Sequence, residues 1–410
     1  MAETSAERGV ASRCIVVGAT ARAFGESAAR AGWLVHAADL FADTDLRASA
    51  AEARRVAGYP DEVPAAVADF PIAPVVWTGA LENHPAVLEA LARDRPLAGC
   101  DTAAVRGVRD PARLAPVVRA AGFAFPDTHA APEGLPTDGS FLAKPRASAG
   151  GRGIRPWHGP PAEPDRRATL WQRFIVGRPW SAAWVACRGA AVLVGASRPL
   201  RGGDWCGCGR FAYCGSIDVP LTTLAARPRR MLDTLGDALA RSFGLAGAFG
   251  CDLVMTADGT AHVVEVNPRP TASLELIERA SGWSVAAAHL GATTTARGAA
   301  PPGMATRIWG KAIVFTPRSP RPDATSRILA AAAAWTAADG LPAVADVPAA
   351  DEPLVPHGPL VTVFACGPTA ADVAAELRAR VLLLRRLATA ASSLPDAGAW
   401  PPQPPRGRTA

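Results

Sequence analysis

Between Cys14 and Arg93 short apolar strands alternate with helical stretches, and that alternation most narrows what the chain can fold into. Cys14-Ile15-Val16-Val17-Gly18 reads as a buried strand ending at a glycine, and Arg22 to Ala31 as a helix. Trp33 to Ala37 reads as a second strand leading to Asp39, Ile72 to Trp77 as a third, and Pro85 to Arg93 as a helix. Strands separated by helices imply a parallel sheet. Gly18 and Gly25 do not complete the G-x-G-x-x-G pattern of dinucleotide sites, so this lobe reads as a structural support. Glu82 and Asn83 lie just past the third strand, where open α/β sheets bind their ligands, and are substrate candidates on that ground alone.

Downstream the pattern changes. Asp110 to Ala121 has an N-cap Asp, Pro at the first helical position and apolar residues at helical spacing, and Gly122 ends it. Short strands follow at Phe141 to Lys144, Leu170 to Ile175, Ala182 to Ala186 and Ala191 to Val194, then a helix from Arg230 to Phe243. Cys251 to Met255 and Ala261 to Val266 flank a turn at Ala257-Asp258-Gly259 and read as a hairpin. Helices at 275–280 and 284–290, strands at 312–315 and 360–365 and a helix at 370–388 complete the chain. A chain of 410 residues divides into two to four units. The expected division is an N-terminal α/β lobe at 1–105, a linker helix and glycine-rich loop at 106–180, a catalytic lobe at 181–300, a C-terminal extension at 301–390 and a disordered tail at 391–410, rich in Pro, Gly and Arg.

Composition narrows function. Hydrophobic residues make up 49% and charged residues 20%, which excludes wholesale disorder. No apolar run reaches the roughly 18 residues of a membrane helix, and the stretch after the polar N-terminus is too short for a signal peptide, so a cytoplasmic protein with no membrane partner is expected. The net charge of +6 does not imply nucleic acid, because the arginines are scattered among acids. Only Lys144 and Lys311 are lysines among 43 basic residues. Where Lys is this scarce, each one carries weight as a chemical requirement.

Three constellations carry chemistry. Asp252 lies on the first hairpin strand, and Glu265, Asn267 and Arg269 follow at spacing two, so their side chains share one face of an extended chain. Two carboxylates and an amide oxygen suit Mg²⁺ beside substrate phosphates, and Arg269 can neutralise a phosphoryl oxygen. A solvated hairpin edge carries the same residues. Second, a strand delivers Lys144 into a loop holding Ser148, Gly150, Gly151 and Gly153, whose backbone N–H groups can close over phosphates. It lacks the Walker ending, and a plain glycine turn would look similar. Third, Gln172-Arg173-Phe174-Ile175 runs towards Gly177 and could offer an adenine ring one backbone acceptor and one donor.

In this order, the lysine with its glycine-rich loop, the Gln-x-Phe-Ile-x-Gly hinge and the Asp…Glu-x-Asn-x-Arg set resemble the ATP-grasp superfamily, over roughly Phe141 to Leu276. The resemblance implies an α/β fold of the ATP-grasp kind: a Rossmann-like N-terminal lobe, a small linker and lid lobe, and a catalytic mixed-sheet lobe with a C-terminal extension packed on it. It implies ATP and two Mg²⁺ ions, with Mn²⁺ as a substitute. By position, Lys144 matches the phosphate-binding lysine, Ser148 to Gly153 the lid, and Arg173 C=O and Ile175 N–H the adenine contacts. Asp252 and Glu265 match the ligands of one ion, Glu265 and Asn267 those of the second, and Arg269 the arginine that stabilises the acyl phosphate. The family often has a further ATP-binding lysine after an Asp at the linker helix; here Pro111 follows Asp110, and Arg109 or Arg113 is the substitute. The usual ribose acid is missing, and Ser181 is the nearest polar candidate. The implied partners are a small-molecule carboxylate and amine, and a homo-oligomer stays open. The full run from Thr78-Gly-Ala-Leu-Glu-Asn through Phe211-Ala-Tyr-Cys-Gly-Ser further resembles ATP-grasp ligases of bacteria that use methanofuran- and methanopterin-type one-carbon carriers, which implies amide formation in the biosynthesis of such a cofactor.

Eight cysteines do not make a disulfide scaffold. Cys14, Cys100, Cys187, Cys251 and Cys366 have apolar surroundings and read as buried hydrophobes. In Cys206-Gly-Cys208, with Cys214 following, two thiols come near one point, but no neighbouring Cys or His supplies the fourth ligand of a structural zinc. The segment reads as a loop on the substrate side. Lys311 is isolated, and either completes the site or faces solvent.

Overall fold

The computed structural model describes residues 12–159, 168–294, 307–333, 335, 339–349 and 354–389. The expected disordered tail at 391–410 lies outside the described residues. The N-terminal strands form a four-stranded parallel sheet in the order Glu52–Arg55, Leu34–Asp39, Arg13–Gly18, Val75–Trp77. Cys14 to Val17 are fully buried, as a parallel strand covered on both faces requires. The third expected strand is shorter than its apolar run: Pro71 and Pro74 lack the N–H a ladder needs, and Ile72 is 82% exposed.

Helices Thr102–Val108 and Pro111–Ala120 lead into the second lobe. Their N-caps are Asp101, which accepts from Ala104 N at 2.8 Å, and Asp110, which accepts from Ala112 N at 2.9 Å. The second lobe is a four-stranded antiparallel sheet in the order Thr128–His129, Thr169–Arg173, Phe141–Pro145, Arg155–Pro156. Phe141, Ala143, Trp157 and Trp171 form its own small core.

The third sheet has eight strands: Ala261–Asn267, Gly247–Met255, Arg178–Cys187, Ala190–Gly203, Cys208–Val219, Ile308–Phe315, Pro359–Gly367 and Val344–Ala345. Two expectations change here. A mixed sheet was expected, yet every neighbouring pair is antiparallel. The C-terminal segment was expected to lie on the catalytic lobe, yet its strands extend the same sheet, so an edge that would expose unpaired N–H and C=O groups is continued instead. Helix Ala226–Phe243 buries Leu235, Leu239 and Phe243 against the sheet and ends at Gly244 with φ +65°. At Gly236 this helix lies so close that a Cβ would stand 2.3 Å from Trp184 Nε1. Helix Ala370–Thr389 covers the C-terminal strands with Val373, Leu377, Val381 and Leu384. One apolar core runs without a break from Ile15, Trp77 and Leu88 to Trp184, Leu239 and Phe249, which fixes the parallel lobe to the large sheet.

Candidate functional site

A cleft of about 420 Å³ opens where the three lobes meet, lined by Glu82, Asn83, Arg109, Lys144, Gln172 and Glu265. Its wall on the large sheet is the hairpin of Gly247–Met255 and Ala261–Asn267. Asp252 stands directly across the ladder from Glu265, and Gly250 across from Asn267. With period two, Asp252, Glu265 and Asn267 therefore share a face. Asp252 also pairs across its other neighbour with Ser181. The Ser181 hydroxyl donates to Asp252 Oδ1, and Asn267 Nδ2 donates to Asp252 Oδ2 at 3.2 Å. Burial, and then the like charge of Glu265, pushes the Asp252 carboxyl above its ordinary range despite these donors. Two carboxylates face to face with one of them so strained in charge is a donor set that a divalent cation would offset, and its all-oxygen chemistry suits Mg²⁺.

Arg269, next on that face, turns towards the parallel lobe. Its Nε and Nη2 reach Glu82 Oε1 at 2.9 and 2.8 Å, and Nη2 reaches Asn267 Oδ1 at 3.4 Å. Glu82 is 3% exposed, on the short 3₁₀ turn Leu81–Asn83 that follows strand Val75–Trp77. Burial works against the Arg269 charge, but Glu82 beside it holds the guanidinium more firmly protonated than usual. Glu82 Oε2 is buried with no hydrogen-bond partner among the described residues. Sequence reasoning singled out both residues and missed that they pair; the one signal was the position of Glu82 at a strand's carboxyl end.

On the second lobe, Lys144 Nζ donates to Gln172 Oε1 at 3.0 Å, and Gln172 Nε2 to Thr128 Oγ1 at 3.2 Å. Arg109 Nη2 bridges Asn83 Oδ1 at 2.7 Å and the Arg146 carbonyl, so Arg109 is the linker cation that faces the cleft. Arg113 instead stacks over Phe243, 5.9 Å from the ring centre. Gly150, Gly151 and Gly153 all adopt positive φ. At Gly151 a Cβ would lie 1.8 Å from the Phe211 carbonyl, and Tyr213 N donates to Gly150 O at 2.9 Å. The glycine-rich loop thus rests on strand Cys208–Val219 of the large sheet, with Ser148 Oγ closing it onto Arg152 O at 2.5 Å.

Other expected residues are placed differently. Ser181, the ribose candidate, has its hydroxyl engaged by Asp252. Arg173, Phe174 and Ile175 continue the chain past Gln172 and do not line the cleft; Arg173 Cζ stands 5.4 Å from the Phe141 ring centre. Lys311 neither lines the cleft nor faces solvent: it is buried, with Nζ 2.9 Å from Glu275 Oε2. The segment of Cys206, Cys208 and Cys214 is not a loop throughout, since Cys208–Val219 is a strand.

Fold and cleft together define an α/β protein with an acidic hairpin on one wall of the cleft and the cations Lys144 and Arg109 on the other. Residues 108–273 match the family model of an ATP-grasp domain. Among solved structures it is similar to pyruvate carboxylase of Rhizobium etli, with 16% identity and a TM-score of 0.69 over 92% of this chain and 39% of that one. It is similar to the L-amino acid ligase of Bacillus licheniformis, with 13% identity and a TM-score of 0.63 over 90% of this chain and 97% of that one. It is also similar to the biotin carboxylase domain of Hydrogenobacter thermophilus 2-oxoglutarate carboxylase, in complex with MgADP and bicarbonate, with 12% identity and a TM-score of 0.63 over 91% and 93%. No curated protein sequence gives a match. Among the described residues no helix is long and apolar enough to cross a membrane.

Proposed function

We propose that this protein is an ATP-dependent, ADP-forming ligase that joins a small-molecule carboxylate to an amine. The observation that carries the reading is the convergence on one cleft of Lys144 and Arg109 from one side and Glu265 of the acidic hairpin from the other. ATP would lie between them, its phosphates towards Lys144 and its adenine towards Gln172, where the hinge meets the cleft. Asp252, Glu265 and Asn267 would hold Mg²⁺, two ions by the resemblance, which supplies charge neutralisation at the phosphates. A substrate carboxylate oxygen attacks the γ-phosphorus, the bond to the β-phosphate oxygen breaks, and ADP leaves. The amine nitrogen then attacks the acyl carbon and expels inorganic phosphate. Lys144 and Arg269 would stabilise the charge that builds on phosphoryl and acyl oxygens, so the protein acts through positioning and fixed charge. The unpartnered Glu82 Oε2 is the acceptor offered to an incoming N–H.

The finer reading is amide formation, onto glutamate for instance, in the biosynthesis of a methanofuran- or methanopterin-type carrier. A second reading has specific support: two of the similar structures are carboxylases, so bicarbonate could take the carboxylate's place, with the carboxyl group passing to an acceptor. Purified protein with Mg-ATP and a small-metabolite extract should release ADP, and Glu265→Gln should lower that release by about a hundredfold or more. Wild-type-like turnover in the variant would defeat the assignment of the metal hairpin. AMP instead of ADP would defeat the acyl-phosphate route. A strict bicarbonate requirement would favour the carboxylase reading, and tight Mg-ATP binding without turnover a nucleotide-binding regulator.

A further inference from the structure

Well away in sequence from the acidic hairpin, three cysteines meet. Cys206 Sγ and Cys208 Sγ are 3.4 Å apart, and with Cys214 Sγ the three sulfurs lie within 4.8 Å of one another. The fold brings them together in two ways. Gly207, at φ +82°, turns the chain so tightly that the thiols on either side of it point to one spot. The pairing of Ala190–Gly203 with Cys208–Val219 then slips twice, between Pro199 and Arg201 and between Arg201 and Gly203, which rotates Cys214 towards the same spot. Cys206 and Cys214 are fully buried and Cys208 is half-buried, so the triangle is closed below and open on one side.

Such a triangle has the dimensions of a metal's thiolate face. With metal–sulfur bonds of about 2.3 Å, sulfurs around one ion stand about 3.8 to 4.0 Å apart. The surroundings fit the anion that results. Arg385 lies against the turn, its guanidinium 2.7 Å from where a Gly207 Cβ would be, and its Nε is buried with no hydrogen-bond partner among the described residues. Its Nη1 is held by the Asp204 carbonyl, and Arg378 sits over Trp205, 5.6 Å from the ring centre. Among the described residues this is the one cluster of three or more His, Cys, Asp or Glu side chains with ligand atoms close enough for one ion.

We infer that Cys206, Cys208 and Cys214 form a binding site for one thiophilic d¹⁰ ion, Zn²⁺ with an exchangeable fourth ligand on the Cys208 side or three-coordinate Cu⁺. Soft thiolates select such ions, and a site with three protein ligands leaves a position open. Binding releases the three thiol protons to solvent and leaves a net negative centre beside Arg385. The segment between Cys208 and Cys214 carries Phe211 and Tyr213, on which the glycine-rich loop rests, so the ion would stiffen the seat of that loop. This consequence rests on the ATP reading; the binding of the ion does not.

The test uses the full-length protein, reduced and freed of metal without air, then titrated separately with Zn²⁺, Cu⁺ and, as an optical probe, Co²⁺. One ion per chain and near-ultraviolet thiolate-to-Co²⁺ charge-transfer absorption are expected. Cys214→Ser should weaken binding by roughly a hundredfold or more. Cys208→Ser, a change at the half-exposed ligand, should do the same while circular dichroism stays native. Cys366→Ser should bind like wild type. No stoichiometric ion on reduced wild type, or equal loss in Cys366→Ser, would overturn the site. So would a mass two hydrogens low with no metal uptake, which would mark a disulfide among the three thiols instead. If ions bind but nucleotide turnover is never found, only the link to the loop falls.

Discussion

At the scale of single residues the site depends on a pair that no local pattern reveals. Arg269 could be placed from its spacing after Glu265 and Asn267, but Glu82 lies 187 positions earlier in the chain. The set of Asp252, Glu265 and Asn267 was legible because strand periodicity fixes which side chains share a face, whereas the Glu82–Arg269 contact depends on how two sheets are brought together. Both side chains are largely shielded from water, at 3% and 14% exposure, so removing one partner leaves a costly charge behind. Glu82→Ala should destabilise the fold by about 3–5 kcal/mol, measured by urea denaturation. Arg269→Met in the same background should recover most of that loss, because no unpaired charge then stays buried. Losses that simply add in the double variant would show that the two residues do not act as a pair.

At the scale of elements, strands with uninterrupted apolar runs, such as Arg13–Gly18, could be read from sequence, and Cys208–Val219 could not. Its outer half, Cys-Gly-Arg-Phe-Ala-Tyr, has neither a clean alternation nor a continuous apolar run, because the two register slips break the period on which such readings depend. Helix Val285–Thr294 shows a different omission. His289 on this helix is buried; its Nδ1 accepts from Ala248 N at 2.8 Å, and Nε2 meets the Ala98 carbonyl at 2.9 Å. One ring therefore joins the large sheet to the end of the parallel lobe. Burial pulls its pKa down to about 4, although the Ala98 carbonyl favours the protonated form. The unfolded chain takes up this proton near pH 6.5 and the folded one does not, so stability falls as pH drops from about 6.5 towards 4. The full effect is about 3 kcal/mol. Denaturation midpoints at pH 7 and 4.5 should converge less in wild type than in His289→Gln, whose neutral amide removes the titration. Identical pH slopes in the two proteins would refute the assignment.

At the scale of the whole molecule, the lobes are held together by charge as well as by the shared core. Arg22, on the first helix of the parallel lobe, is buried against Glu275 at 2.5 Å and Asp346 at 2.8 Å. Glu275 also takes Lys311 at 2.9 Å, and the Asp45 carboxylate accepts from Asp346 N at 2.8 Å. Residues 22, 275, 311 and 346 come from the beginning, middle and end of the chain, which explains why Lys311, so conspicuous in the sequence, does not line the cleft. Its scarcity signalled a requirement, but the requirement is assembly. Burial alone would raise the Glu275 pKa, yet Arg22 and Lys311 outweigh it and hold the carboxyl well below its usual range. A depressed carboxyl stabilises the fold above its unfolded pKa of about 4.3, and that stabilisation is lost as pH falls through the lower folded value. Glu275→Gln should therefore be less stable than wild type by about 3–5 kcal/mol at pH 7, since it strands two buried cations. The gap should narrow in strong acid, where wild type must protonate Glu275 as well. Urea unfolding of both proteins at pH 7 and pH 3 checks this, and a gap that does not change with pH would mean that the carboxylate charge is not what ties the first helix to the C-terminal strands.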